Sequence, residues 1–396
     1  MSSSRLARID HFLRERYIES GKLPFVQLQI ARGGQLVHQT VQGKASLETG
    51  APAAEDTIVR IYSMTKPVTS VAFMMLVEEG LVALDDPVHR FIPAWQDLGV
   101  YRSGLPGRFE TTPTLAPMRI IDLLRHTSGL TYSLQTRTSV DAAYRAGAVE
   151  PFEQKAGLDG FIDALGALPL EFTPGSAWNY SVSTDVLGYL IGKITGIPFD
   201  RFLAERVFKP LGMVDTAFHV EEAKVQRFAS CYYTQSSGKL APLPGRTFLE
   251  PAAAPSGGAG LVSTAADYMR FCELLRLGGE LGGARLIGPK TLSLMRSNHL
   301  PGGRDIADMS VSLFSEAAYQ GVGFGLGFGV TTDVAKTGIA GSTGEYWWGG
   351  LASTAFWVDP VEDLCVTFLT QLVPSTSYPI RRELRTMLNA AILETR

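Results

Sequence analysis

The three cysteines among the 396 residues, Cys231, Cys272 and Cys365, are too few and too far apart for a disulfide framework or a Cys-x-x-Cys metal site, and they fit a reducing compartment. Charge of one sign is missing as well. The chain carries 36 Lys and Arg against 39 Asp and Glu, a net charge of −3, with no basic stripe to neutralise phosphates. That balance argues against nucleic acid as the main partner and for a small or uncharged substrate. No apolar run beside a motif approaches the ~20 residues that cross a bilayer; the longest is Val71 to Val77. The first twenty residues lack the apolar core and cleavage site of a signal peptide, while Leu6, Ile9, Leu13 and Tyr17 recur at helical spacing. They read as a helix of the mature protein, so no membrane association and a cytoplasmic location are expected. No G-x-S-x-G is present, which leaves an α/β-hydrolase nucleophile elbow unsupported. His11, His38, His89, His126, His219 and His299 show no HExxH spacing, and neither a metal nor another cofactor is expected.

What is present is patterned. FVQLQIARGGQLVHQTVQG sets two β-prone stretches around Arg32-Gly33-Gly34, a hairpin signature. A short strand over 57–62 runs into a helix with Pro67 in its first turn and its end at Gly80. From there to about residue 245, IIDLLRHTSGL, GLDGFIDALGAL, STDVLGYLIGKITG and FDRFLAERVFKPLG have helical spacing, and YRSGLPGRFETTPTLAP reads as a Gly-, Pro- and Thr-rich loop. Two more helices follow, AADYMRFCELLRLGG and GPKTLSLMRSN, then strands GFGLGFGVTT, AFWVDP and LCVTFLTQLV and a last helix over 378–394. Strands at both chain ends around a helical region predict one sheet closed by the two termini.

Ser63-Met64-Thr65-Lys66 stands where a strand gives way to a helix. Residues three apart share a helix face, so the Lys66 amine can reach the Ser63 hydroxyl. A buried lysine with a lowered pKa can take the proton that keeps a serine from acting as a nucleophile. The alternative is a helix N-cap at Ser63 with Lys66 as a surface charge. A second copy, Ser236-Ser237-Gly238-Lys239, lies in a polar turn and reads as solvated loop. In PGSAWNYS, Tyr180 precedes a helix; held as phenolate near a lysine ammonium it could relay a proton, or it is a core tyrosine.

Ser63-Met64-Thr65-Lys66, Tyr180-Ser181 and Trp348-Gly349-Gly350 together resemble the serine β-lactamase and penicillin-binding-protein superfamily, most of all the class C β-lactamase-like carboxylesterases called family VIII. The likeness extends through GLVALDDPVHRFIP, IIDLLRHTSGL, SGGAGLVSTAADYMRF and FWVDPVEDLCVTFLTQ, almost the whole chain. It implies an α/β plus all-α fold: an antiparallel sheet flanked by helices, built from residues 1–62 and 246–396, with a mainly helical domain over 63–245 and the active site in the cleft between. It also implies Ser63 as acylated nucleophile, Lys66 as its basic neighbour, Tyr180 as general base and leaving-group acid, and the N–H groups of Ser63 and Leu351 as oxyanion hole. Which of Lys66 and Tyr180 takes the first proton stays open.

In the third motif the family's Lys-Thr-Gly is replaced by Trp348-Gly349-Gly350, and the Asn two residues after the motif tyrosine is Val182. Both changes remove polar recognition of a β-lactam or peptide, and an aromatic wall favours apolar groups. Strand alternation predicts that Trp348 lines the site and Trp347 faces away. A literal Lys336-Thr337-Gly338 lies twelve residues before Trp348, too far back for the motif, and Lys336 reads as a loop lysine. Gly257-Gly258-Ala259-Gly260 reads as a tight connection, and His126 as a hydrogen-bonded structural residue near the site. The expectation is a serine carboxylesterase that hydrolyses short-chain, small-molecule esters through an acyl-Ser63 intermediate. The alternatives are a β-lactamase or D,D-peptidase-like amide hydrolase, an acyltransferase, or a silent ligand-binding domain.

Overall fold

The computed structural model describes residues 1–245, 247–311 and 319–395. Its centre is a seven-stranded sheet whose strands, in chain order, are β1 (Phe25–Arg32), β2 (Gln35–Gly43), β3 (Val322–Phe324), β4 (Gly329–Thr331), β5 (Tyr346–Gly349), β6 (Ala355–Asp359) and β7 (Leu364–Leu369). The spatial order is β3-β4-β5-β6-β7-β1-β2, and every neighbouring pair is antiparallel. The first hairpin thus joins the C-terminal strands through β1 and β7, with Leu28 opposite Phe368 and Ile30 opposite Val366.

The sheet is covered on both faces, which is why β1 and β7 are almost wholly buried rather than alternating. Helices α1 (Ser3–Leu13) and α5 (Ile380–Asn389) put Leu6, Ile9, Leu13, Leu384 and Leu388 against Val26, Leu28, Ile30, Trp357, Val366 and Phe368. Helix α4 (Ala265–Arg276) covers the opposite face with Phe271, Cys272 and Leu275, against Phe356, Val358 and Cys365. Each such side chain stabilises the fold by roughly 1.5–3 kcal/mol. Helix α2 (Thr65–Glu78) is buried from Thr65 to Leu76, as its all-round apolar sequence requires, and packs on α3 (Ser183–Thr195).

Several local expectations are corrected. The stretch read as a loop after Gly99 is a hairpin of Val100–Leu105 and Arg108–Thr112, with a Pro106-Gly107 turn that the composition concealed. The strand expected over 57–62 is only Val59–Arg60, paired with Val262–Ser263. Helix Ile120–Leu124 stops early, because Arg125 leaves helical geometry and His126 takes φ = 58°. Lys336 sits in a short helical turn, Val334–Thr337, capped by Asp333, rather than in a loop. The 63–245 stretch is mainly helical but also holds Tyr232–Thr234, which pairs in parallel with Leu372–Val373. Arg246, where the second sheet segment was expected to begin, and Arg396, where it was expected to end, lie outside the described residues. Among the described residues no helix is long and apolar enough to cross a membrane.

Candidate active site

The chain enters the site through Val59–Arg60, turns at Tyr62 with φ = 43°, and begins α2 two residues after Ser63. The i, i+3 spacing brings Lys66 Nζ to 3.4 Å from Ser63 Oγ. Lys66 is 1% exposed, and its amine also donates to Tyr132 Oη at 2.9 Å and to the Gly258 carbonyl at 2.8 Å. Burial pushes the amine down to about 7, against the opposing pull of the Asp185 and Glu150 carboxylates. A neutral amine has two N–H donors and one lone pair. With both donors committed to Tyr132 and Gly258, the lone pair is left for the Ser63 hydroxyl.

Tyr180 closes the other side. The Lys66 amine lies 4.5 Å from the centre of its ring, over the face and not at the oxygen. Burial pushes its phenol well up, opposed by hydrogen bonds to Ser63 and Trp348. The phenolate considered from sequence is therefore corrected: Tyr180 is a neutral phenol at neutral pH. Its oxygen accepts from Trp348 Nε1 at 3.2 Å. His126, expected near the site, is buried 4.9 Å from the Tyr180 ring, with Nδ1 3.2 Å from Ser181 Oγ. Burial and then the nearby Lys66 hold His126 well below its usual range, so it is neutral.

The third motif lies on β5. Trp348 is buried and faces Tyr180, while Gly349 lies where a Cβ would come 2.6 Å from Cζ of Arg381. At Gly350 a Cβ would collide with the Ile61 carbonyl and Thr354 Oγ1, so the glycine lets the edge turn dock beside the nucleophile. Arg381 Nη2, from α5, donates to the Gly350 and Thr354 carbonyls at 2.6 and 2.8 Å. It clamps the turn that carries Leu351, whose N–H has no acceptor among the described residues.

Ser63, Tyr180, Trp348, Gly349, Gly350 and Leu351 line one cleft of about 240 Å³, with Lys66 in its floor against Ser63. Trp347 lines it too, which corrects the expectation of a single tryptophan. Its cross-strand partner Gly329 has no side chain, and Trp348 leans into that space, 3.4 Å from where a Cβ would stand. The two indoles thus stack, 6.0 Å apart at 25°, and Tyr319 stacks on both. Val182 is buried outside the cleft, with its N–H on the Thr131 carbonyl. Ser236, Lys239 and Lys336 are exposed and stand apart from it.

Sequence reasoning missed Tyr132, Glu150, Asp185 and Arg381, all in the cleft wall. It also missed Gly258, whose carbonyl holds the lysine amine in what read as a bare connection. The available signals were thin: Tyr132 and Asp185 flank recognised segments, and Arg381 is one of several basic residues on the last helix.

The chain matches the family described as Beta-lactamase over residues 10–390. It is 34% identical to Esterase EstB of Burkholderia gladioli, over 92% of this chain and 88% of that protein. It is 35% identical to Protein Rv1367c of Mycobacterium tuberculosis, over 85% and 82%. Among solved structures, EstCE1, described as a hydrolase with promiscuous acyltransferase activity, superimposes with a TM-score of 0.81 at 26% identity, covering 98% of this chain and 99% of that one.

Proposed function

The chain belongs to the beta-lactamase family and is a serine hydrolase, and within that class we propose that it hydrolyses short-chain carboxylic esters of small molecules through an acyl-Ser63 intermediate. The observation that carries this reading is the buried Lys66 amine, held by Tyr132 Oη and the Gly258 carbonyl at 3.4 Å from Ser63 Oγ, beside a cleft walled by Trp347 and Trp348.

In this mechanism Lys66 takes the Ser63 proton as Oγ attacks the ester carbonyl. The N–H groups of Ser63 and Leu351 receive the oxyanion. Tyr180, a neutral phenol, gives its proton to the departing alkoxide and recovers one from solvent, while Lys66 gives up to solvent the proton it took from Ser63. Water then attacks the acyl-enzyme, losing its proton to Lys66, which passes it to the departing Ser63 oxygen 3.4 Å away; the acid product leaves as carboxylate, its proton going to solvent. Lys66 rather than Tyr180 is the first base in this reading: its amine stands 3.4 Å from Ser63 Oγ, and burial pushes the amine down while it pushes the phenol up.

The residues divide in this reading into a sheet domain of 1–62 and 246–396 and a mainly helical domain of 63–245, with the cleft between. The three cysteines are buried free thiols, in keeping with a cytoplasmic location. Acyl transfer to a second alcohol uses the same acyl-Ser63, and the described activity of EstCE1 supports it as the alternative. Rates for p-nitrophenyl butyrate and a chromogenic cephalosporin test the substrate class. The ester is expected to turn over at least about tenfold faster in kcat/KM, given the aromatic wall; the reverse order would make the protein a β-lactamase.

A further inference from the structure

Both acceptors of the Lys66 amine lead to one buried carboxylate. Gly258, whose carbonyl takes one N–H at 2.8 Å, gives its own N–H to Asp185 Oδ1 at 2.9 Å. Ser256 Oγ donates to the same oxygen. Tyr132, whose hydroxyl takes the other N–H at 2.9 Å, lies beside the same carboxylate across Gly258. A Cβ on Gly258 would collide with Asp185 Oδ2 and come 2.9 Å from Tyr132 Oη, so the three groups fit only around a glycine.

Asp185 lies in the first turn of α3, where backbone N–H groups favour an anion. It is 1% exposed, and the cation that acts on it is Lys66. A carboxylate buried without an arginine is costly unless hydrogen bonds and a charge hold it. A folding role alone does not require it to stand against both acceptors of the catalytic base. We propose that Asp185 is the positioning residue of that base: by accepting from Gly258 N–H and Ser256 Oγ it fixes the carbonyl that takes the Lys66 amine, and its other oxygen stands beside Tyr132 Oη across Gly258, so that the amine is held at Ser63 with the Asp185 charge close by.

The proposal rests on the reading of Lys66 as acylation base. The groups that face Lys66 are Ser63 from the turn just before its helix, Asp185 from α3, Tyr180 from the segment before α3, His126 and Tyr132 from the segment after Leu124, and Glu150. His126 is neutral and both tyrosines are held as phenols. Glu150 is the other carboxylate, and it acts on Lys66 less strongly than Asp185. Removing the Asp185 charge therefore makes Lys66 easier to deprotonate, while freeing its acceptors makes it a worse base in place.

The test is the rate of Ser63 phosphonylation by a fluorophosphonate against pH, which reports the nucleophile without deacylation. In the wild type the rate is expected to rise through an acid limb near pH 7. In D185N that limb is expected to move down by about one pH unit, and the plateau rate to fall about tenfold or more. S256A keeps the carboxylate but removes one bond that favours its ionised form, so its limb moves the same way by less; it carries the test if D185N does not fold. A wild-type limb near pH 7 with unmoved limbs in the folded variants would overturn the role of Asp185. A wild type without such a limb would overturn the assignment of Lys66 as base, and this proposal with it.

Discussion

The indole N–H of Trp348 points at the phenol oxygen of Tyr180 from 3.2 Å away, so the residue that replaces the family's lysine is a hydrogen-bond donor to the candidate acid as well as a wall. Trp348→Phe keeps the wall and loses the donor. A hydrogen bond to a charged group contributes roughly 1.5–3 kcal/mol, so kcat should fall about tenfold to a hundredfold as Tyr180 develops phenolate character without it. KM for a short ester should change little. An unchanged kcat would reduce Trp348 to a wall.

Two cations, one at the third motif and one away from it, should behave oppositely. Arg381 clamps both ends of the Gly350 to Thr354 turn, and Arg381→Ala should lower kcat about a hundredfold by loosening the Leu351 N–H, with KM much less affected. Lys336 is exposed in its short helical turn, and Lys336→Ala should stay within about twofold of wild type for p-nitrophenyl butyrate. A collapse of turnover in folded K336A would mean that Lys336-Thr337-Gly338 is the working third motif.

The nucleophile segment was legible because its geometry is local: an i, i+3 step across the start of α2 fixes Ser63 against Lys66 whatever the rest of the chain does. Trp348 could be placed by counting along a strand, but Trp347 could not, because its position in the cleft depends on the missing side chain of Gly329 across the sheet. Tyr132, Asp185, Gly258 and Arg381 come from four distant segments and meet only when α2, α3 and α5 are packed, so no spacing pointed to them. That strands from both chain ends share one sheet was readable from β-prone runs there; the strand order was not, and GFGLGFGVTT, which reads as one strand, is two, Val322–Phe324 and Gly329–Thr331. The 100–112 hairpin was not readable either, because glycine and threonine at its exposed positions hide the alternation of Tyr101 and Phe109, whose rings meet edge to face at 5.7 Å.

Lys66 should cost the fold stability. In the unfolded chain it is protonated up to about pH 10.4, while in the folded protein it loses its proton near pH 7. The unfolded state therefore binds more protons between these values, and the penalty, full below pH 7, fades as pH rises toward 10. Lys66→Met should raise stability by about 1–2 kcal/mol at pH 7 while abolishing turnover, and the gap to wild type should narrow toward pH 10. Thermal melts of both proteins across that range check it; a gap that widens with pH would contradict a neutral buried lysine.

The central claim is that Ser63 is the acylated nucleophile. Incubation with a fluorophosphonate followed by peptide mass spectrometry tests it most directly. The account predicts one adduct, on the peptide that holds Ser63, lost in S63A and unaffected by substitution of Ser236. No label on Ser63 in the folded wild-type protein, or a label that persists elsewhere in S63A with turnover intact, would contradict it.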